Sequence, residues 1–307
     1  MTREDNRTDS RKKWVAGSLL VIALLLLIGI ITKNVAIEPY VEEQVIAAFS
    51  DVSNDDAVMR IAELDLGFFP FSITLQDIRL ERGQNATERQ IDHPVLQSSI
   101  GKISVSGISV FDFITNGDVS IGDVLISEAD IHVSPGLAER YKPSSDGSRK
   151  SGTVMVERVT LSGSNLNIYS NDLSDVKTKV SGLEGQLSGL TLPNYGGDSA
   201  GMLNQLSLKA DSVSHSTQTG YYTANLSDIS FDLEEGRFET DRFQLIPALS
   251  PKELPREVGH EVDHLDISSG PMKMTGLNSD LLLSEGKIEA THVSFSEPSV
   301  KISRDKN

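Results

Sequence analysis

The chain of 307 residues contains no cysteine, which removes disulfides, thiolate metal sites and thiol nucleophiles from consideration. Cys-free chains occur in reducing and oxidising compartments alike, so this absence does not fix location. Positive charge is also scarce. Lys and Arg number 28 against 44 Asp and Glu, for a formal net charge of −16. Such a surface disfavours non-specific nucleic-acid binding and flat docking on anionic lipid headgroups, and it favours solubility. No G-x-S-x-G elbow, P-loop or dinucleotide fingerprint occurs. His93, His132, His215 and His292 are scattered and form no ligand cluster. Ser and Asp are abundant but fall within strand-like segments, which suits turns and edges better than catalysis. No enzyme activity, cofactor or nucleic-acid partner is expected.

Long apolar runs are absent with one exception. Trp14 to Ile31, WVAGSLLVIALLLLIGII, is eighteen residues without a charge. As a helix it would be about 27 Å long, close to the hydrocarbon thickness of a bilayer. A cleaved signal peptide would carry an apolar core of about 7–15 residues and a small-x-small site. This run is longer, and TKNVAIEPY after it matches such a site poorly, so an uncleaved anchor over 14–32 is expected. Arg3, Arg7, Arg11, Lys12 and Lys13 precede the run, and Lys33 alone follows before Arg60. That asymmetry predicts a cytoplasmic tail over 1–13 and the bulk of the chain on the far side of the membrane.

Residues 33–57 read as a linker and a short amphipathic helix. Pro39 suits a first helical turn, and Val41, Val45 and Ala48 or Phe49 fall near one face. From 58 to 307 the texture is that of strands. Short runs of Val, Ile, Leu and Phe alternate with Ser, Asp, Thr and Gly. Loop compositions interrupt them at RGQNATERQIDHP, SPGLAERYKPSSDGSRKSG, LPNYGGDSAG and IPALSPKELPRE.

The strands carry a specific spacing. Ile73, Leu75, Ile78 and Leu80 are apolar at i, i+2, i+5 and i+7. The same spacing holds for Ile103, Val105, Ile108 and Val110, for Val119, Ile121, Val124 and Ile126, and for Val154, Val156, Val159 and Leu161. Ile288, Ala290, Val293 and Phe295 form a weaker fifth set. On a helix these positions scatter around the axis. On a strand, a β-bulge or bend absorbing one residue puts all four on one side. Bulges repeated in register bend a whole sheet. The spacing predicts a mainly β fold: a long, curved, mostly antiparallel sheet with one apolar face. A two-layer β-sandwich is the alternative.

The chain also repeats itself. Gly107–Ser134 and Gly276–Ser303 align without a gap. Gly107/Gly276, Gly117/Gly286, Val124/Val293, Ser127/Ser296, Glu128/Glu297 and Ser134/Ser303 are identical, and the apolar phases match. Repeated units that share a continuous apolar surface belong to extended architectures.

One catalytic spelling is present. GHEVDHL, 259–265, contains His-Glu-x-x-His. On a helix, His260 and His264 would face one side as zinc ligands, with Glu261 as general base. Pro251, Pro255 and Gly259 leave room for about ten helical residues at most, and no third ligand is assured. A short solvated helix carrying these residues is the plainer expectation, with a zinc hydrolase as the alternative. Phe68, Phe69 and Phe71 around Pro70 form the densest aromatic group. It reads as a core hairpin corner or, near the anchor, as a lip for lipid entry.

The anchor, the short helix and then VMRIAELDLGFFPFSITLQDIRLERG resemble the opening of bacterial AsmA-like proteins, in particular membrane-anchored members of Bacteroidetes-type bacteria. GISVFDFITNGDVSIGDVLISEADIHV and LNSDLLLSEGKIEATHVSFSEPSVKISRDK resemble their recurring strand pair. The likeness covers nearly the whole chain and is one of texture, without a catalytic signature. It implies an inner-membrane, periplasmic, groove-like β domain over 58–307 that handles envelope lipid or maintains the outer membrane. Such relatives usually continue past an RDK segment, so this sequence reads as a short member or as a truncated product, and a short groove would not bridge two membranes by itself.

An apolar sheet face must be covered by another sheet, a helix or acyl chains. In a lipid groove the facing residues would be Ile73, Leu75, Ile103, Val105, Val119, Ile121, Val124, Ile126, Val154 and Val156. Phospholipid acyl chains would then be the ligand, and other envelope proteins are further candidate partners. A self-closed scaffold that binds proteins through its sheet edges is the alternative.

Overall fold

The computed structural model describes residues 33, 37–53, 57–68, 71–83, 98–109, 119–133, 153–170, 175–193, 205–217, 219–278, 281–282 and 287–304. The anchor and tail expected over 1–32 lie outside them, as do Phe69 and Val110. No helix among the described residues is long and apolar enough to cross a membrane.

Helix α1 spans Glu38–Ser53, with Glu38 in its first turn. Among the described residues fourteen strands follow in one sheet: β1 Ala57–Arg60, β2 Glu63–Phe68, β3 Phe71–Arg82, β4 Ser98–Ser106, β5 Val119–Val133, β6 Thr153–Tyr169, β7 Val176–Pro193, β8 Gln205–Ser216, β9 Tyr222–Asp232, β10 Arg237–Pro247, β11 His264–Ser269, β12 Met272–Thr275, β13 His292–Phe295 and β14 Ser299–Ser303. A short helix, α2, Glu253–Val258, lies between β10 and β11. Neighbours in sequence are mostly neighbours in space. β1 and β2 lie end to end on β3, β11 and β12 on β10, and β14 and β13 on β11 and β12.

Among the described residues all pairings are antiparallel except β5 with β6. A parallel pair needs a crossover of a dozen or more residues, and 134–152 supplies that length. The parallel register sets two copies of the same apolar spacing side by side: Val119 faces Val154, Ile121 faces Val156, Val124 faces Val159 and Ile126 faces Leu161.

The extra residue in the apolar spacing is resolved differently from a bulge. A bulge sets two residues of one strand against one of the other and so shifts the register. Here the ladder between β3 and β4 skips Asp77 and Gly101, then resumes in the same register. It skips Gly101 and Glu128 between β4 and β5, Asp211 and Asp228 between β8 and β9, and Asp228 and Asp241 between β9 and β10. Each strand carries its irregularity opposite its neighbour's, so the kinks form one crease that runs across the sheet. β6 against β7 is the exception, with true register shifts. The crease holds the described non-glycine residues of positive φ: Asp77 (49°), Glu128 (55°), Asp228 (50°) and Glu297 (49°). Gly163 (56°) and Gly182 (63°) occupy it on β6 and β7. A second crease passes through Gly107 (70°), Gly122, Glu157 and Gly189 (68°).

The expected consequence for side chains holds at β3. Ile73, Leu75, Ile78 and Leu80 all belong to one cluster, with Leu64, Leu66, Ile100 and Ile103. Val41 and Val45 of α1 cover it. This buried core sits at the first end of the sheet, under α1. Elsewhere the substantial contacts of each described strand are with its ladder neighbours. Among the described residues there is one sheet layer, and the two-layer sandwich does not form.

The internal repeat is also a structural one. Ile103 faces Ile126, and the equivalent Met272 faces Phe295. Val105 faces Val124, and Met274 faces Val293. Both copies place Gly (107, 276) and Glu (128, 297) at positive φ.

Candidate functional site

Because side chains alternate along a strand, cross-strand partners form files on one face or the other. One file runs Leu75, Ile103, Ile126, Leu161, Gly185, Leu208, Phe231, Phe238, Met274, Val293. It crosses ten strands and is apolar at every side chain. Its one glycine is filled: a Cβ on Gly185 would lie 2.7 Å from Leu208 Cδ2. A parallel file runs Ile73, Val105, Val124, Val159, Leu187, Leu206. Beyond the crease, another runs Ile131, Leu166, Val180, Val213, Leu226, Phe243. At about 4.8 Å per strand, the ten-strand file is about 43 Å long. That exceeds the roughly 30 Å of a bilayer's hydrocarbon core.

The alternate files are polar. Thr74, Ser104, Leu125, Thr160, Gln186, Ser207 and Asp232 form one, with a single apolar member. Glu184, Lys209, Ser230, Glu239, Lys273 and Ser294 form another. Lys273 Nζ lies 2.6 Å from Glu239 Oε1, and this hydrogen bond holds the carboxyl below its ordinary pKa. Asp130 accepts from Asn167 Nδ2 at 3.0 Å and lies 3.3 Å from His132 Nε2, whose Nδ1 is 3.2 Å from the Tyr169 hydroxyl. The sheet is thus two-faced by sequence: one side meets water through hydrogen-bonded polar groups and the other presents hydrocarbon.

Past the α1-covered end, the apolar files are half-buried rather than sealed. Ile126, Leu161, Leu208, Phe231, Phe238 and Met274 all keep part of their surface exposed. At the far end exposure rises, to 53% at Phe295 and 64% at Ile302.

The expected groove residues lie in three settings. Ile73, Leu75 and Ile103 pack in the α1-covered cluster. Val105, Val124 and Ile126 continue the same files beyond it. Val119, Ile121, Val154 and Val156 pair with one another across β5 and β6, and Val156 is buried. Phe68 pairs with half-buried Phe71 at the β2–β3 turn. Phe69, the third residue of the expected lip, lies outside the described residues.

The His-Glu-x-x-His segment does not form the helix its chemistry requires. Ser250 and Glu253 cap α2 reciprocally, at 3.0 and 3.4 Å, and this lowers the Glu253 pKa. The helix ends at Gly259 (φ 81°), whose N–H donates to the Pro255 carbonyl. His260 and Glu261 therefore follow the helix instead of riding on it, and His264 opens β11. His264 Nε2 lies 3.0 Å from the Leu249 carbonyl and Nδ1 lies 3.3 Å from Ser303 Oγ. The expected short helix exists, but it ends before both histidines. No group of three potential metal ligands occurs among the described residues.

Sequence reasoning missed the crease carboxylates and the state of the two sheet edges. Asp77, Glu128 and Asp228 do carry a signal, as acidic residues in the two-residue gaps Leu75–Ile78, Ile126–Ala129 and Leu226–Ile229, and Glu297 occupies the matching place before Pro298. The first edge is guarded. Leu66 N–H on β2 donates to Glu38 Oε1 of α1 at 3.1 Å, and Lys33 Nζ bridges Asp65 (2.5 Å) and Glu38 (3.3 Å). The hydrogen bond to Asp65 raises the Lys33 pKa.

No protein-family model matches the chain, and no curated protein matches it.

Proposed function

We propose that this is a non-catalytic, membrane-anchored, AsmA-like envelope protein that sequesters phospholipid acyl chains on the apolar face of its sheet. The carrying observation is the unbroken apolar file from Leu75 to Val293 on a sheet with no second layer among the described residues. A sheet creased in register bends as a whole, and a curved apolar face makes a groove. Each acyl CH₂ taken from water there contributes about 0.8 kcal/mol. Headgroups stay in water at the rim, which suits a chain whose acidic surface repels anionic membranes. The charge-free run 14–31 and the basic residues before it support an inner-membrane anchor with a periplasmic sheet.

Native mass spectrometry of the full chain, released gently from membranes, tests this reading. Phospholipid-sized adducts should survive in the wild type and fall sharply in Leu161→Asp and Leu208→Asp variants. Equal occupancy in folded variants would defeat the reading, because the anchor alone would then account for the lipid.

A further inference from the structure

Beyond the crease, one file of the apolar face contains a polar pair. It runs Val133, Ile168, Thr178, His215, Ala224, Leu245, Ile267, Val300. Its members lie two residues along each strand from the file of Ile131, Leu166, Val180, Val213, Leu226 and Phe243, so both files share a face. Every member is apolar except Thr178 and His215, and these two are neighbours. Thr178 Oγ1 lies 2.8 Å from His215 Nδ1. Thr178 is half-buried and His215 is exposed.

The polar groups just past this pair are already engaged. Thr217 Oγ1 accepts from the Tyr222 N–H and lies 3.4 Å from Thr219 Oγ1. The Tyr222 hydroxyl donates to the Asp263 carbonyl and accepts from the Leu265 N–H. His215 Nε2, by contrast, has no partner among the described residues. Where the Thr178 hydroxyl donates to Nδ1, the ring proton sits on Nε2, and the imidazolium carries one there too. Both forms present a free donor in an apolar file. Hydrocarbon laid over that file would leave the donor buried and unmatched, which is costly unless the ligand brings an acceptor.

We propose that Thr178 and His215 form the phosphate subsite of the groove, with His215 Nε2–H donating to a phosphate oxygen of the bound phospholipid. This rests on the groove reading and deepens it by naming the group recognised. A phosphate is anionic, and a charge-assisted hydrogen bond is about twice as strong as one to a neutral ester carbonyl. No carboxylate stands in this file to repel it. His215 is the last residue but one of β8, which ends at Ser216, so a headgroup here stays at the water margin. The chains then lie over Val213, Leu208 and Leu206. That stretch of β8 is about 23 Å long at 3.3 Å per residue. It exceeds the roughly 15 Å of hydrocarbon in one leaflet.

The test uses the full chain in detergent and two probes with identical chains, dioleoyl phosphatidylcholine and dioleoylglycerol, titrated by native mass spectrometry. Neither probe has a net charge, so the −16 of the chain does not separate them. The wild type should bind the phospholipid about tenfold more tightly, the effect of one charged hydrogen bond. His215→Leu, which keeps the file apolar, should remove that preference and leave dioleoylglycerol affinity unchanged. Thr178→Val should remove part of it. Equal wild-type affinity for the two probes would overturn the subsite and leave the groove standing. So would a folded His215→Leu variant that loses neither probe or loses both alike. Displacement of the phospholipid by an equal concentration of inorganic phosphate would assign the pair to a free anion and overturn it as well. Binding of neither probe by the wild type would defeat the groove reading and the subsite with it.

Discussion

Glu128 stands over Gly101: a Cβ on Gly101 would lie 2.9 Å from both the Cβ and the Oε2 of Glu128. The crease brings one strand's carboxylate over its neighbour's glycine, and the same occurs at Asp211 over Gly182. Gly101→Ala should therefore destabilise by about 1–3 kcal/mol, the usual range for overpacking. In a Glu128→Gly background the same substitution should cost much less, a coupling of at least about 1 kcal/mol by double-mutant cycle in urea. Additive costs would mean that the crease is not held by this contact.

The two histidines of the metalloprotease-like spelling should behave unequally. His264 Nε2–H donates to the Leu249 carbonyl, and Nδ1 pairs with the Ser303 hydroxyl. His264→Ala should cost about 0.5–1.5 kcal/mol for the lost hydrogen bonding. His260→Ala should stay within about 0.5 kcal/mol, as for an ordinary exposed site. Equal losses in denaturant melts, restored by zinc, would revive the metal site.

Acid should loosen the last strands first. The Arg304 guanidinium, 2.7 Å from Asp263 Oδ1, holds that carboxyl below the ordinary aspartate range, and Glu239 is held low by Lys273. A depressed carboxylate contributes stability above its unfolded pKa and loses it as pH falls through the folded value. Both groups are exposed, so the effect is local and weakened by salt. Amide protection of Lys301 and Ser303, which pair with Asp266 and His264 of β11, should drop on acidification, corrected for intrinsic exchange, before that of Ile126 and Leu161. A simultaneous drop would refute the ordering.

Removing the guard on the first edge should expose β2. Glu38→Ala leaves Leu66 N–H without its carboxylate acceptor, at a cost of about 1.5–3 kcal/mol for a charged hydrogen bond. Hydrogen exchange at Leu66 should rise, and the protein should self-associate more readily. Unchanged exchange would show that α1 covers this edge without help from Glu38.

How much of this was legible in the sequence depended on the range of the physics. Ile73, Leu75, Ile78 and Leu80 predicted a shared face across an irregularity because side-chain phase is a local property. The pairing Gly107/Gly276 and Glu128/Glu297 announced the duplicated strand pair, since both positions need left-handed backbone. The parallel β5–β6 pair was not legible, because it depends on how the chain crosses over between 133 and 153. The in-register bend was legible from the spacing shared by several segments, but not that acidic residues would stand at its left-handed positions. His260 and His264 misled for the opposite reason: helical spacing was present, but Gly259 ends the helix first.

The most direct measurement of the central claim is site-specific photocrosslinking of the full chain in its membrane. A photoreactive residue would replace Leu161, Leu208 or Phe238 on the apolar file, and Thr160, Lys209 or Glu239 on the polar one. The account predicts phospholipid adducts at the first three positions and none at the second three. Adducts on both faces alike, or on neither, would contradict it.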